Sequence, residues 1–280
     1  MRSSRVLFTS LQRFTRLAAV LALSLGMTLP LAAHAGRSCE QKLPEVDAMR
    51  QQLEMAVQTV QRLDASTADV VIIGRVGQDL SQYRQRYSHL AFAYRDGVHW
   101  YVVHKLNECG TAVSSIYEQG MGQFFMDSPF LLEAYVSVPQ PEVQHALRAA
   151  IDRAQATRMH EPHYNMLAYP WATRYQQSNQ WVNETLARAL ESQIETREQA
   201  QAWLRAKGYT PDTLNLGPLT RLGGRMFKAN IAFDDHPNAL RFSDRIETTT
   251  ADSVFAFLQK SGIEASHFVI RGASAPAVAD

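Results

Sequence analysis

Residues 89–106 read HLAFAYRDGVHWYVVHKL. Two apolar runs, rich in β-branched and aromatic residues, flank Asp96-Gly97. A two-residue Asp-Gly loop between such runs predicts a β-hairpin with a type I′ turn. With those residues as the loop, Arg95 pairs with Val98 and His89 faces His104 directly. Directly opposed residues have Cβ atoms about 5 Å apart. Alternation puts Ala91, Ala93, Trp100 and Val102 on the same face and His99 on the other. The small alanines leave room for a group to pack beside the rings. A slip of one residue would separate the two imidazoles. Facing imidazoles cannot both be charged cheaply, so at least one is expected to be neutral at pH 7. Such a pair suits a general base and the group that fixes its tautomer. It equally suits two half-buried sheet histidines bonded to backbone or water.

Outward from the hairpin, Leu43 to Leu63 predicts a helix, with Val46, Met49, Leu53, Val57 and Val60 at three- and four-residue steps. Ala68 to Val76 reads as a buried strand, and Glu133 to Val138 as another, closed by Pro139. Helices are expected over Pro141–Arg158 and Ser178–Ile194. A Thr-x-x-Gln capping box at Thr196 opens a third, which Gly208 ends. Met226 to Phe233 reads as a strand. Thr250 caps a last helix through Lys260, and Ser266 to Arg271 is a final strand. Strands cluster early and helices late, without regular βαβ alternation. That pattern predicts an α+β fold with a mainly antiparallel sheet packed by helices. No repeat or long linker divides the chain. Residues 36–280 therefore read as a single α+β domain, with a core over about 66–208 and a C-terminal extension over about 209–271 on the same sheet.

The first 35 residues read as an address. Arg2, Arg5, Arg13 and Arg16 form a basic start without an acid, Leu17 to Leu31 runs apolar, and Ala33-His34-Ala35 supplies a signal-peptidase site. The apolar run is short for a membrane span of about 20 residues. The expectation is an exported, periplasmic protein cut after Ala35, with no span remaining. The 280-residue chain is 46% hydrophobic and 20% charged with net charge +1, which excludes disordered, rod-like and multi-span classes. Losing the four arginines takes the 28 basic residues to 24 against 27 acidic, formally −3. No basic patch points to nucleic acid. Cys39 and Cys109 both survive cleavage, and a disulfide between them fits an oxidising compartment. It would close a loop of about 70 residues, worth about 4 kcal/mol in the chain-entropy model.

A second candidate group lies in Tyr175-Gln-Gln-Ser-Asn-Gln-Trp-Val182, which leads into a helix. Ser178 stands where an N-cap is expected. The same place favours a nucleophile, because first-turn amides and the helix dipole stabilise developing negative charge. The face carrying His89 and His104 could supply its base, and Asn179 an amide for an oxyanion. Tyr169, Trp171, Tyr175 and Trp181, with Trp100, are candidate walls of a cleft for peptide or sugar; burial in the core is the commoner fate of aromatics. His160-Glu-Pro-His163 spaces two imidazoles, but Pro162 breaks the helix and zinc would need two more ligands. Asp234-Asp235-His236-Pro237 reads as a turn. No metal or cofactor is assigned.

The blocks RVGQDLSQYRQRYSHLAF, WYVVHKLNECGT, YEQGMGQFF, YNMLAYPWATRYQQSNQWVNETLA and TADSVFAFL resemble an uncharacterised family of exported bacterial proteins catalogued as domain of unknown function 2145. More distantly, the order of His89 in Ser88-His89-Leu90, His104, and the helix start at Ser178-Asn179-Gln180-Trp181-Val182 is similar to circularly permuted papain-like proteins of the NlpC/P60 type. That resemblance implies a base on one strand, a polar orienter on the next and a nucleophile opening a later helix. The nucleophile there is cysteine; here the position holds serine, which needs stronger activation by the histidine.

Three roles follow. One is a hydrolase or acyltransferase acting on amide or ester bonds of envelope material such as cell-wall peptide. In it Ser178 attacks, His89 is the base, His104 orients it and Asn179 supports the oxyanion. Another is an inactive relative that binds peptide, glycan or an envelope protein through the same cleft. The third is a structural accessory of the envelope. The oligomeric state is not legible in the sequence.

Overall fold

The computed structural model describes residues 45–127, 129–227 and 229–272. The expected signal segment, the Cys39 half of the expected disulfide and the tail from residue 273 lie outside the described residues. In chain order the helices are α1 (Val46–Asp64), α2 (Met121–Phe125), α3 (Pro141–Ala150), α4 (Arg153–Ala156), α5 (Ser178–Leu190), α6 (Arg197–Ala206), α7 (Pro218–Phe227), α8 (Asn238–Arg241) and α9 (Ala251–Lys260). The strands are β1 (Val70–Arg75), β2 (His89–Asp96), β3 (His99–Asn107), β4 (Ser114–Gly120), β5 (Glu133–Pro139), β6 (Asp212–Asn215), β7 (Arg245–Thr248) and β8 (Glu264–Arg271). The main sheet has the order β4-β3-β2-β1-β5-β8, and β6 pairs with β7 in a small second sheet. Every pairing is antiparallel. The fold is α+β, and its last strand completes one edge of the main sheet.

Helices cover both faces. Val70, Ile72, Leu90, Phe92 and Val103 pack against Leu147, Trp181, Leu186, Leu204 and Val254 from α3, α5, α6 and α9. Val71, Ile73, Ala91, Ala93, Trp100 and Val102 pack against Met55 and Leu63 of α1 and Phe124 and Phe125 of α2. β1 is central and buried throughout, which is why its sequence is a continuous apolar run instead of an alternation. Among the described residues no helix is long and apolar enough to cross a membrane.

The hairpin forms, but its register differs from the expected one. Asp96 pairs with His99 and Phe92 with Val103, so the two-residue loop is Gly97-Val98. Gly97 has φ 59°, while neither Asp96 nor Val98 has positive φ. A type I′ turn needs positive φ at both loop residues, whereas type II′ needs it at the first alone, where glycine is favoured. The turn thus moves one residue onward, and His104 lies across from the position of Ala91, not His89. Because the shift preserves parity, both histidines stay on one face as diagonal neighbours.

Other boundaries moved for local reasons. The expected helix over Pro141–Arg158 is interrupted at Asp152, which takes the extended conformation of an N-cap. The described residues of 226–233 form no strand: the first of them end α7, whose Pro218 suits a first helical turn. The expected caps are present at Thr196, with Gln199 completing the box, and at Thr250, whose Oγ accepts from the Ser253 N–H at 3.0 Å.

Gly74 of β1 lies against Phe255 of α9. A Cβ there would lie 2.7 Å from Cε2 and 2.8 Å from Cζ of Phe255, and 3.2 Å from Cδ2 of Leu90. Phe255 is held edge-on by Tyr87 and against Tyr135, so it has little room to yield. Gly74→Ala should lower stability by about 1–3 kcal/mol, read as a fall in the urea midpoint at unchanged slope. An unchanged midpoint would show that this contact is loose.

Candidate functional site

The β2–β3 ladder opens beyond Phe92 and Val103, and the first turn of α5 sits at the opening. The N–H of Leu90 lies past the end of the ladder. Asn179 Oδ1 accepts it at 2.9 Å, and Asn179 Nδ2 donates to the Ser88 carbonyl at 3.5 Å. Gln177, not Ser178, caps the helix: its Oε1 accepts from the Asn179 N–H at 3.0 Å, and its Nε2 donates to the Thr249 carbonyl. The longer side chain reaches back over the first turn. Ser178 becomes the first helical residue, and its hydroxyl is released for another partner.

That partner is His89. Ser178 Oγ lies 3.2 Å from His89 Nδ1, His89 Nε2 lies 3.0 Å from His104 Nδ1, and His104 Nε2 lies 3.0 Å from Gln119 Oε1. The four side chains come from α5, β2, β3 and β4. Gln119 pairs with Val102 across the β3–β4 ladder and therefore shares the face of His104. Phe124 of α2, fully buried, covers the rings, with centroids 6.2 Å from His89 and 5.7 Å from His104.

The end partner sets the direction of the chain. Gln119 Oε1 can only accept, so His104 carries its proton on Nε2 and accepts on Nδ1. His89 must then donate from Nε2, which leaves its Nδ1 free to accept from the Ser178 O–H. Every link is satisfied with both imidazoles neutral. Electrostatics agree. Burial pushes His104 down to about 4, helped by the nearby Arg75 guanidinium. His89 keeps some accessible surface, yet the protein around it desolvates the ring and holds it well below 6.5, with Arg75 and His104 adding to the effect. Arg75 is buried, bridges to Asp127 at 2.5 Å and lies over the Phe124 ring at 4.8 Å.

A second polar network holds the approach to α5. Lys105, fully buried, donates to Gln176 Oε1 at 2.9 Å and to the Glu161 carbonyl at 2.5 Å, and lies 3.3 Å from His160 Nδ1. Burial and the charge of Arg197 push it down to about 7. Gln176 Nε2 donates to Glu184 at 2.6 Å. Glu184 is bound by two Arg197 nitrogens at 2.7 and 3.1 Å and by Gln201 at 2.7 Å. Arg197 also donates to the Thr173 and Tyr175 carbonyls, pinning the segment before Ser178.

The structure therefore brings His89, His104 and Ser178 together and separates the other candidates. Asn179 has its backbone N–H and its side chain engaged in holding the helix to the strand, so an oxyanion role does not fit this geometry. The Ser178 N–H, belonging to the first helical residue, has no intrahelical acceptor and is one of the donors this turn offers. Trp100 and Trp181 are core residues, not cleft walls. Trp100 Nε1 donates to Asp64 and Trp181 Nε1 to the Ala156 carbonyl. Tyr169 packs on His236, Trp171 on Tyr209, and Tyr175 bonds Asp234. His160 and His163 take different partners, Lys105 and Glu161. Among the described residues no three His, Cys, Asp or Glu side chains converge on a metal-sized site. Gln119, Phe124 and Arg75 were not singled out by the sequence. The first two lie in the block YEQGMGQFF, whose polar strand shows no clear alternation.

The depressed imidazoles fix the sign of a pH effect. Below the unfolded histidine value near 6.5, the unfolded chain binds protons that folded His104 refuses until about pH 4. The His104 contribution is therefore full above pH 6.5 and is lost as the pH drops through that window, by about 3 kcal/mol. His104→Asn should flatten the decline of the urea midpoint between pH 7 and 4.5. An equally steep decline in the variant would place the sensitivity elsewhere.

No curated protein and no solved structure matches the chain significantly. A family model described as "Uncharacterized protein conserved in bacteria (DUF2145)" matches residues 62–258. The matched span runs from the last turn of α1 into α9 and includes all four members of the Ser178–Gln119 chain. The protein belongs to this family of uncharacterised bacterial proteins.

Proposed function

We propose that the protein is an exported, periplasmic hydrolase or acyltransferase acting on amide or ester bonds of cell-envelope material such as cell-wall peptide. The observation that carries this reading is the 3.2 Å contact between Ser178 Oγ and a His89 whose other nitrogen is held at 3.0 Å by His104. A nucleophile, a neutral base and an orienter in series match the logic of acyl-transfer sites. Ser178 Oγ attacks the carbonyl carbon while its proton moves to His89 Nδ1. His104 and Gln119 keep that nitrogen facing the serine, and His89 later returns the proton to the leaving group. On this reading the Ser178 N–H, at the positive end of α5, donates to the carbonyl oxygen as negative charge develops there.

The arrangement of base, orienter and helix start supports kinship with permuted papain-like proteins, with serine in place of cysteine. The apolar leader and Ala33-His34-Ala35 support export. An exported chain with two cysteines supports a Cys39–Cys109 disulfide. A second reading, an inactive relative that binds peptide, glycan or an envelope protein, is favoured by two observations. Ser178 is 5% exposed, and a base held so far below neutrality accepts a proton weakly.

A serine-directed fluorophosphonate probe separates the two. On the first reading the protein is labelled, Ser178→Ala abolishes labelling, and His89→Ala slows it by about two to four orders of magnitude. Labelling that survives Ser178→Ala, or none under conditions where the fold is intact, would overturn the nucleophile and leave the binding reading.

A further inference from the structure

A cleft of about 320 Å³ lies between α1 and the segment leading into β5, with Gln52, Arg86, Phe130, Leu131, Glu133 and Arg271 among its walls. Three features of these walls point to a ligand. Gln52 is 6% exposed and its Oε1 has no hydrogen-bond partner, so an acceptor is buried at the cleft without a donor. Buried polar atoms are normally satisfied. Arg86 uses Nε and Nη2 on Glu133, at 2.9 and 2.7 Å, and Arg271 uses Nε, at 2.9 Å. Arg86 Nη1 and both Nη atoms of Arg271 make no bond to described residues, and both side chains are at least half exposed. Phe130 and Leu131 are exposed apolar side chains beside these charges.

The balance of charge in the walls is positive: two guanidiniums face one carboxylate. Glu133 stays ionised because Arg86 donates to it, with Tyr87 and Arg271 assisting. Asp252 accepts the backbone N–H groups of Arg86 and Tyr87 from α9 and does not line the cleft. The walls thus offer guanidinium donors, one buried acceptor and an apolar surface.

We infer that this cleft binds a small carboxylate that carries an N–H next to it and a short apolar side chain, the chemistry shared by amino acids and peptide C-termini. The carboxylate takes the free N–H groups of Arg86 and Arg271, the N–H goes to Gln52 Oε1, and the side chain lies on Phe130 and Leu131. The inference does not depend on chemistry at Ser178.

Calorimetric titration of the purified protein with N-acetylalanine, alanine and N-acetylalaninamide tests it. Saturable binding is expected for N-acetylalanine or alanine, and the tighter of the two tells a peptide terminus from a free amino acid. The carboxamide should bind at least about tenfold more weakly. Arg271→Gln, at an exposed position, should weaken the carboxylates by about tenfold or more. Gln52→Leu should weaken N-acetylalanine but leave propionate, which lacks the N–H, unchanged. Ser178→Ala should alter none of these, so failure here and failure of the nucleophile remain distinguishable. Absence of saturable binding by both carboxylates, equal binding of the carboxamide, or indifference to Arg271→Gln would overturn the inference.

Discussion

The hydrogen bond from the Leu90 N–H to Asn179 Oδ1 decides where everything else at the site falls. β2 and β3 must part for α5 to reach them, and a parted ladder leaves backbone donors in a buried place. An unsatisfied buried N–H costs about 1–3 kcal/mol, so the helix start has to bring an acceptor with it. Asn179 supplies that acceptor, and Gln177 caps the helix in its stead. With those two duties assigned, Ser178 is neither cap nor filler, and its hydroxyl lands on His89.

The surroundings then keep the imidazoles uncharged. Phe124 and the protein interior desolvate them, and Arg75 adds a cation on the same side. A proton taken up by His89 would meet that cation, so the resting state is held neutral. The same field makes the ring a weak base. Beneath α5, the Glu184–Arg197 pair and the buried Lys105 hold the incoming segment rigid, and a rigid frame is what a preorganised site requires.

Much of the fold was legible because its signals are local. The β-branched run of β1, the Thr196 and Thr250 caps and the Gly97 hairpin each carry their own signature. The turn was misplaced by one residue because Asp-Gly fits both I′ and the position before II′; the choice depends on which residue takes positive φ, and sequence does not reveal that. The shared face of the histidines survived because strand parity is insensitive to a shift of two in the sum of paired positions. Gln119 was not legible, since β4 is polar and its role exists only through the β3–β4 register. Nor was the fate of Trp100 and Trp181: their spacing is the same whether they line a cleft or a core.

The account rests on two neutral rings with protons in specified places, and histidine ¹⁵N chemical shifts read these directly. At pH 7 the long-range ¹⁵N–¹H spectrum should show His89 and His104 both as Nε2–H tautomers with Nδ1 unprotonated, and Ser178→Ala should perturb the Nδ1 resonance of His89. A doubly protonated ring at either position, or an Nδ1–H tautomer at His89, would contradict it, because the serine would then face a donor and not a base.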